Sequence, residues 1–489
     1  MTSLRQNKGF ALVFSLIFLM LIVSFMAVYI LAVINGVSQA NRTANLKKAY
    51  YVADAGLLDA YERIVKSGLI TFASSTCVNA NIPSTCTAPF IPASNTDNGV
   101  YSVGTINGSY KVSIVYSSSP RTNYIITSQG TYGNISKTLQ LKIISASISK
   151  YAYWSQTEIN PTLGTLWWIT GYLTTGPVQT NGTFNIIGNP VFNCLTAEVG
   201  AAPNYKYAST GTDPTSKTVS DPSYIFPDGL TNGATALSLP PPSTLSDFLT
   251  TASSGGLILT GKSTVIFNST GTITVTGSSV VNGTTTTYNN KTMSKPTSGV
   301  IYVQSSTNSH GQSNNDGNVT VQGTVSGALT VAADQNVYIS GNIQYNDEPV
   351  RAGISGGDPN STDVLGLVAY NNITVQEATA PAQLEIDGVM MALSGSFNVD
   401  QYSVNKDPIS GGLDGAIMSQ FGALINYASG CTGVVNSSGN LIDGWTQIQS
   451  YDNRLMTLAP PGFPPLVDSA GNAEYVKTDF LECTSGICG

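Results

Sequence analysis

The sequence predicts a mainly β protein with one long N-terminal transmembrane α-helix, a small antiparallel meander after it, and then a right-handed parallel β-helix. Three observations lead there. No charged residue stands between Lys8 and Arg42, short apolar runs recur between Gly and Asn turns over most of the remaining chain, and charged residues make up only 10% of the 489. An ordinary soluble domain carries about 25%. Ser, Thr, Asn and Gly fill the difference, a composition that suits short strands and frequent turns.

The helix comes first. The apolar run 10–34 exceeds the roughly 20 residues that cross a bilayer. It is also longer than the apolar region of a cleaved secretory signal, roughly 7–15 residues. Arg5 and Lys8 favour a cytoplasmic N-terminus, although Arg42, Lys47 and Lys48 on the far side weaken that charge argument. Beyond the membrane, Leu46, Ala49, Tyr50, Ala53, Leu57, Ala60, Tyr61 and Ile64 recur at three- and four-residue steps as one apolar stripe. Ser67-Gly68 offers a stop, so the helix is expected over 10–68.

A small antiparallel β domain is expected over 99–150, with strands at 100–105, 110–116, 123–128 and 137–144. Val112, Ile114 and Tyr116, and then Leu139, Leu141 and Ile143, fall at every second position, the pattern of half-buried strands. Residues 151–256 read as an irregular connecting region rich in Pro, Ser, Thr and Gly, with short strands and a helix after Pro242. Over 257–466, strands at intervals of about 8–12 residues fit either a sandwich or a solenoid. The very short turns between Val319 and Ile343 favour the coil. Its end rungs need capping, for which the proline-rich stretch 458–465 and the Cys483/Cys488 loop of the disulfide-bearing tail 467–489 are candidates.

Six cysteines in an exported chain read as disulfides: Cys77 with Cys86, Cys483 with Cys488, and a long-range candidate pair of Cys194 with Cys431. A single histidine, His310, nearly excludes imidazole metal sites, and no cofactor is expected, a calcium ion aside. Asp347, Glu348, Asp358 and Asp363 fall in one polar insertion and could hold calcium, with a solvated acidic loop as the plainer reading. A net charge of −7 without any basic cluster argues against a nucleic-acid partner.

A β-helix can also carry polysaccharide-cleaving carboxylates, and Glu385, Asp387 and Asp400 could face outward together. Exposed acids in an acidic protein need no such role, and no catalytic motif occurs, so the chain is not expected to be an enzyme. The aromatics Trp154, Trp167, Trp168, Tyr172, Tyr205 and Tyr207 could grip a surface or a sugar, core packing being the blander alternative.

Arg5-Gln-Asn-Lys-Gly9, Phe10 and the apolar run resemble the leader of type IV prepilins. Ala53-Asp54-Ala55-Gly56-Leu57 resembles the helix of PilX-type minor pilins, with Asp54 where that family usually has Glu. The resemblance covers about the first 65 residues. It implies a leader over 1–9, cut between Gly9 and Phe10 by prepilin peptidase, and a meander packed on the helix in the pilin manner. It further implies residence in the inner membrane with the C-terminal part exported, lipid contact before assembly, and other pilins or pseudopilins as partners.

Major pilins carry Glu at the fifth mature position; here that position is Phe14. Two readings follow: a tip or initiating subunit, or an anchor that only resembles a pilin. Residues 150–466 are similar to an uncharacterised family of bacterial exported β-solenoid proteins, on 176–192, 319–343, the run from Leu384 to Phe397, and Tyr451-Asp-Asn-Arg-Leu455. The expected function is a structural or accessory subunit of a type IV pilus or related secretion filament. The alternatives are a static envelope protein or adhesin, and a carbohydrate-active β-helix enzyme.

Overall fold

The computed structural model describes residues 8–67, 88–90, 108–117, 123–206, 225–281, 283–306, 316–351, 356–400, 416–435, 441–468 and 473–483. The chain is mainly β with one long N-terminal apolar helix, and it divides into two compact units. The first holds the helix and residues up to 144 together with 477–489; the second holds 145–476.

In the first unit a single helix runs Lys8–Ser67. Its large apolar side chains from Leu12 to Val37 are exposed, whereas Ala49, Val52, Ala53, Leu57, Ala60 and Ile64 are buried. The stripe read from three- and four-residue spacing is therefore the buried face. Fully burying side chains such as Leu57 and Ile64 contributes about 1.5–3 kcal/mol each.

The sheet has the order Ala88–Phe90, Gly108–Ser117, Asn123–Tyr132, Ile135–Ser145, Tyr475–Cys483. Gly108 to Ser117 pair antiparallel with Tyr132 to Asn123, and Asn123 to Tyr132 with Ile144 to Ile135. Gly133 turns the second hairpin at φ +59, the geometry that a two-residue turn needs and glycine supplies. One face of these strands is buried in alternation, with Tyr124, Ile126 and Ser128 inward. The Cys483/Cys488 loop, expected to cap the coil, lies beyond Cys483 outside the described residues, and the strand before it, Tyr475–Cys483, joins this meander. Thr478 donates to the carbonyl of Lys142, and Lys137 pairs with Glu482. The strand expected at 100–105 lies outside the described residues.

The second unit is built from parallel ladders. The first joins the start of Leu257–Phe267 to Val300–Gln304, Ala328–Ala333, Val364–Ala369 and the ends of Gln383–Ala392 and Ile417–Ala428. The second joins the end of Leu257–Phe267 to Val319–Val325, Val337–Tyr345, Ile373–Val375 and Phe397–Val399. The third takes the ends of Val319–Val325 and Val337–Tyr345, then the starts of Gln383–Ala392 and Ile417–Ala428, then Thr446–Tyr451.

Residues 151–256, expected to be an irregular connector, are largely a continuation of this stack. Tyr153 pairs in parallel with Leu424 on one side and with Val178 on the other. Val178–Thr180 then pairs with Thr196–Glu198, and that strand with Leu230–Thr231. Leu173–Thr175 and Val191–Asn193 extend the third ladder from Thr446–Tyr451. The chain thus enters the stack at its middle, builds outward to Thr231, returns, restarts at Leu257 and closes beneath its own entry point. Strands of two or three residues carry no readable periodicity, which is why this half looked irregular.

Two cores result. Inside the ladders lie Val265, Val321, Ile339, Val375, Ile386, Met418 and their neighbours. Outside the first ladder, Leu245, Phe248 and Ala252 of the helix Leu245–Ser253 and Phe463 cover Val300, Tyr302, Val364, Val368 and Met391. All six residues of Val364–Ala369 are consequently buried, and a strand covered on both faces reads as a continuous apolar run. The proline-rich stretch therefore packs on a flank of the ladders rather than on an end rung.

Corners are held by asparagines. The Asn318 Oδ1 accepts from the Asn336 amide at 3.0 Å, the Asn336 Oδ1 from the Asn372 amide at 3.1 Å, and the Asn372 Oδ1 from the Ser396 amide at 2.9 Å. Each side chain occupies the backbone donor of the next rung, so turns that cannot join the ladders still leave few orphan amides.

Candidate functional site

Three groups of residues were singled out from the sequence, and the structure treats them differently. The first is the helix. Gly9 and Phe10 lie in its first turns, while residues 1–7 are outside the described ones. Phe14 is 62% exposed on the apolar half. Among the described residues this is the one helix long and apolar enough to cross a membrane.

Farther along, Ala53 and Leu57 are buried while Asp54 and Ala55 are half-buried. A Cβ on Gly56 would stand 2.3 Å from the Ser128 Oγ and 2.8 Å from the Tyr110 ring. Small residues here let the helix lie directly on the meander. Tyr110 donates its hydroxyl to Asp59 at 3.0 Å, and Lys48 donates to the Tyr132 hydroxyl at 3.2 Å.

The acidic residues do not converge on a vacant point. Glu348, Glu385 and Asp387 surround the buried Arg351, at 2.6, 3.0 and 2.8 Å. The guanidinium also lies 4.4 Å from the centre of the Phe421 ring. Asp363 accepts from the amides of Gly327 and Asp347, and Asp358 from that of Asn360 at 2.8 Å. Among the described residues no group of three or more His, Cys, Asp or Glu is placed to hold a metal ion. Asp347 accepts from the side-chain amide of Asn346 at 3.0 Å, so the carboxylates named for a calcium loop are each engaged by an arginine or an amide.

Asp387, expected at an outward groove, is fully buried. Burial pushes its carboxyl up to about 7, against the pull of Arg351. Asp400 accepts from the Glu377 amide at 3.0 Å. The signal that could have found this cluster is Arg351 itself, one of the few cations in the C-terminal half.

The aromatics sit mostly in cores. Trp154 is fully buried, and Trp168 packs edge-on against Tyr153 with centroids 4.9 Å apart and against Phe192 at 4.8 Å. Tyr205 packs partly buried on the same core, and Tyr207 lies outside the described residues. Among them stand two acids that the sequence reading passed over. Glu158 accepts from the Tyr153 hydroxyl and the Trp168 indole, both at 3.2 Å, and from Ser155. Glu198 accepts from the Phe184 amide at 2.9 Å, and its other oxygen is buried without a partner. Burial raises both carboxyls, Glu198 to about 7.

Beside this core lies a cavity of about 140 Å³ whose lining includes Tyr153, Trp167, Phe397, Asn426 and Cys431. Cys194 and Cys431 are both free thiols, so the long-range pair is not formed; the Cys431 thiol donates instead to the Gly433 carbonyl at 2.9 Å. Cys483 is disulfide-bonded, and Cys77, Cys86 and Cys488 lie outside the described residues.

A family model described as a domain of unknown function, DUF4900, matches residues 115–200. No curated protein matches the chain. Among solved structures, the competence-associated pilin ComZ from Thermus thermophilus is similar over 90% of this chain and 98% of that one, at 12% identity and a TM-score of 0.30. A score below 0.5 carries no argument about fold or function.

Proposed function

We propose that this chain is a structural, non-catalytic subunit of a type IV pilus or related secretion filament, held in the inner membrane by a single pass before assembly. One observation carries the reading: a single helix is divided into an exposed apolar half and a half buried in an antiparallel meander. Twenty helical residues span about 30 Å, the thickness of a hydrocarbon core. The same exposed surface can face lipid first and neighbouring helices later, so lipid and other pilins or pseudopilins are its partners. The prepilin-like leader and the Ala53-to-Leu57 segment support the same reading.

Phe14 gives it a direction. Without a carboxylate there, the helix has no charge to meet the amino terminus of a subunit above it, which favours a tip or initiating position. The coiled parallel sheet we read as a right-handed parallel β-helix displayed outward, with adhesion as its use.

The experiment is to shear surface filaments from cells with and without prepilin peptidase and to probe both fractions for this chain. Recovery with the filaments only when the peptidase is present supports the reading. Retention in the membrane in both strains would leave a static anchor.

A further inference from the structure

We propose that the cavity beside Trp167 binds the ring of a neutral sugar residue. Its volume is about 140 Å³. A cavity of about 150 Å³ accommodates one six-membered ring. Tyr153, Phe397 and Asn426 are buried and form its floor, whereas Thr165 is exposed and Trp167 half-buried at its rim.

The lining selects the kind of ring. Glu158 takes up the hydroxyl of Tyr153 and the indole N–H of Trp168, so these rings offer the cavity carbon surface. Asn426 accepts from the Phe397 amide through Oδ1 and Gln447 donates its Nε2 to Gln420, so the Asn426 Nδ2 and the Gln447 Oε1 are the amide ends left for this space, while the Thr432 hydroxyl is bonded to that of Tyr172. An all-apolar cavity of this size stays dry and takes an apolar ring. Aromatic surface beside one amide donor and one amide acceptor instead fits a ring with an apolar face and a polar edge, which is a pyranose. Among the described residues no Lys, Arg, Asp or Glu lines the cavity. A phosphate or carboxylate ligand would find no partner for its charge.

Cys431 lines the cavity and Cys194 does not, and both are free thiols. The test uses them on the full chain, held in a zwitterionic detergent that carries no sugar. Glucose, galactose and N-acetylglucosamine are the probes; glucuronate and phenol are the controls. Saturation-transfer NMR reads binding, and mass spectrometry reads the modification rates of the two thiols.

A neutral sugar is expected to give saturable transfer and to slow modification of Cys431 by about fivefold at concentrations up to about 50 mM, with Cys194 unaffected. Trp167→Ala is expected to weaken binding by about tenfold with an unchanged melting temperature. Should that variant not fold, protection of Cys431 in the parent protein decides alone. The proposal is overturned if no neutral sugar protects Cys431, if glucuronate protects it equally, or if phenol protects it and the sugars do not. It rests on the ladders alone, so it survives or fails independently of the filament reading.

Discussion

A Cβ placed on Gly130 would stand 2.2 Å from the amide nitrogen of Ala53 and 2.4 Å from the carbonyl oxygen of Ala49. The central strand of the meander therefore lies on the helix backbone itself. Gly130→Ala must push backbone against backbone, at a cost of about 1–3 kcal/mol. Gly56→Ala meets side-chain atoms and not backbone, the Ser128 hydroxyl and the Cδ2 and Cγ of the Tyr110 ring, so it should cost less. Hydrogen exchange over 123–132 in the two variants measures the order.

The buried Arg351 gives a second prediction. Arg351→Met strands the Asp387 carboxylate, and breaking a buried pair from one side costs about 3–5 kcal/mol. Replacing both, as Arg351→Met with Asp387→Leu, should restore most of that loss. A double-mutant cycle on the urea midpoint reads the difference. A loss in the double variant equal to the sum of the losses in Arg351→Met and Asp387→Leu alone would show that the pair is not coupled.

The asparagine corners should behave as a chain. Asn336→Ala removes the acceptor of the Asn372 amide and one donor to Asn318. Leaving a buried amide without a partner costs about 1–3 kcal/mol. Faster exchange is expected at Asn372 and Asn336, with the meander unchanged.

Stability should fall as pH rises. Glu198 is raised to about 7, chiefly by burial, with Glu158 adding to it and the Phe184 amide opposing. An unfolded glutamate titrates near 4.3. The folded state thus holds this proton more tightly, and its contribution is full below about pH 4 and lost as pH rises through about 7. Asp387 acts in the same direction. Glu198→Gln should therefore raise stability at pH 8 by about 1–2 kcal/mol and flatten the thermal profile between pH 5 and 8. A steeper profile in the variant would contradict it.

Much of the first unit was legible because its physics is local. A charge-free run of membrane length has few other uses, and alternation at Leu139, Leu141 and Ile143 marks a sheet with one face covered. The order of the second unit was not legible. Nothing near Tyr153 announces that its partner is Leu424, more than 250 residues away along the chain, roughly the distance a stack entered at its middle requires. Burial misled at the acids: Asp387 looks like any surface aspartate until Arg351 folds onto it. The asparagine corners left little trace, since Asn318, Asn336 and Asn372 stand on successive rungs yet 18 and then 36 residues apart, and polar residues at turns have an ordinary explanation in turn chemistry.

The most direct test of the filament reading is the N-terminus of the protein purified from membranes of cells with and without prepilin peptidase. A chain that begins at Phe10 when the peptidase is present, and at Met1 when it is absent, is the predicted result. A chain that begins at Met1 in both would contradict the pilin pathway and leave an anchored β protein.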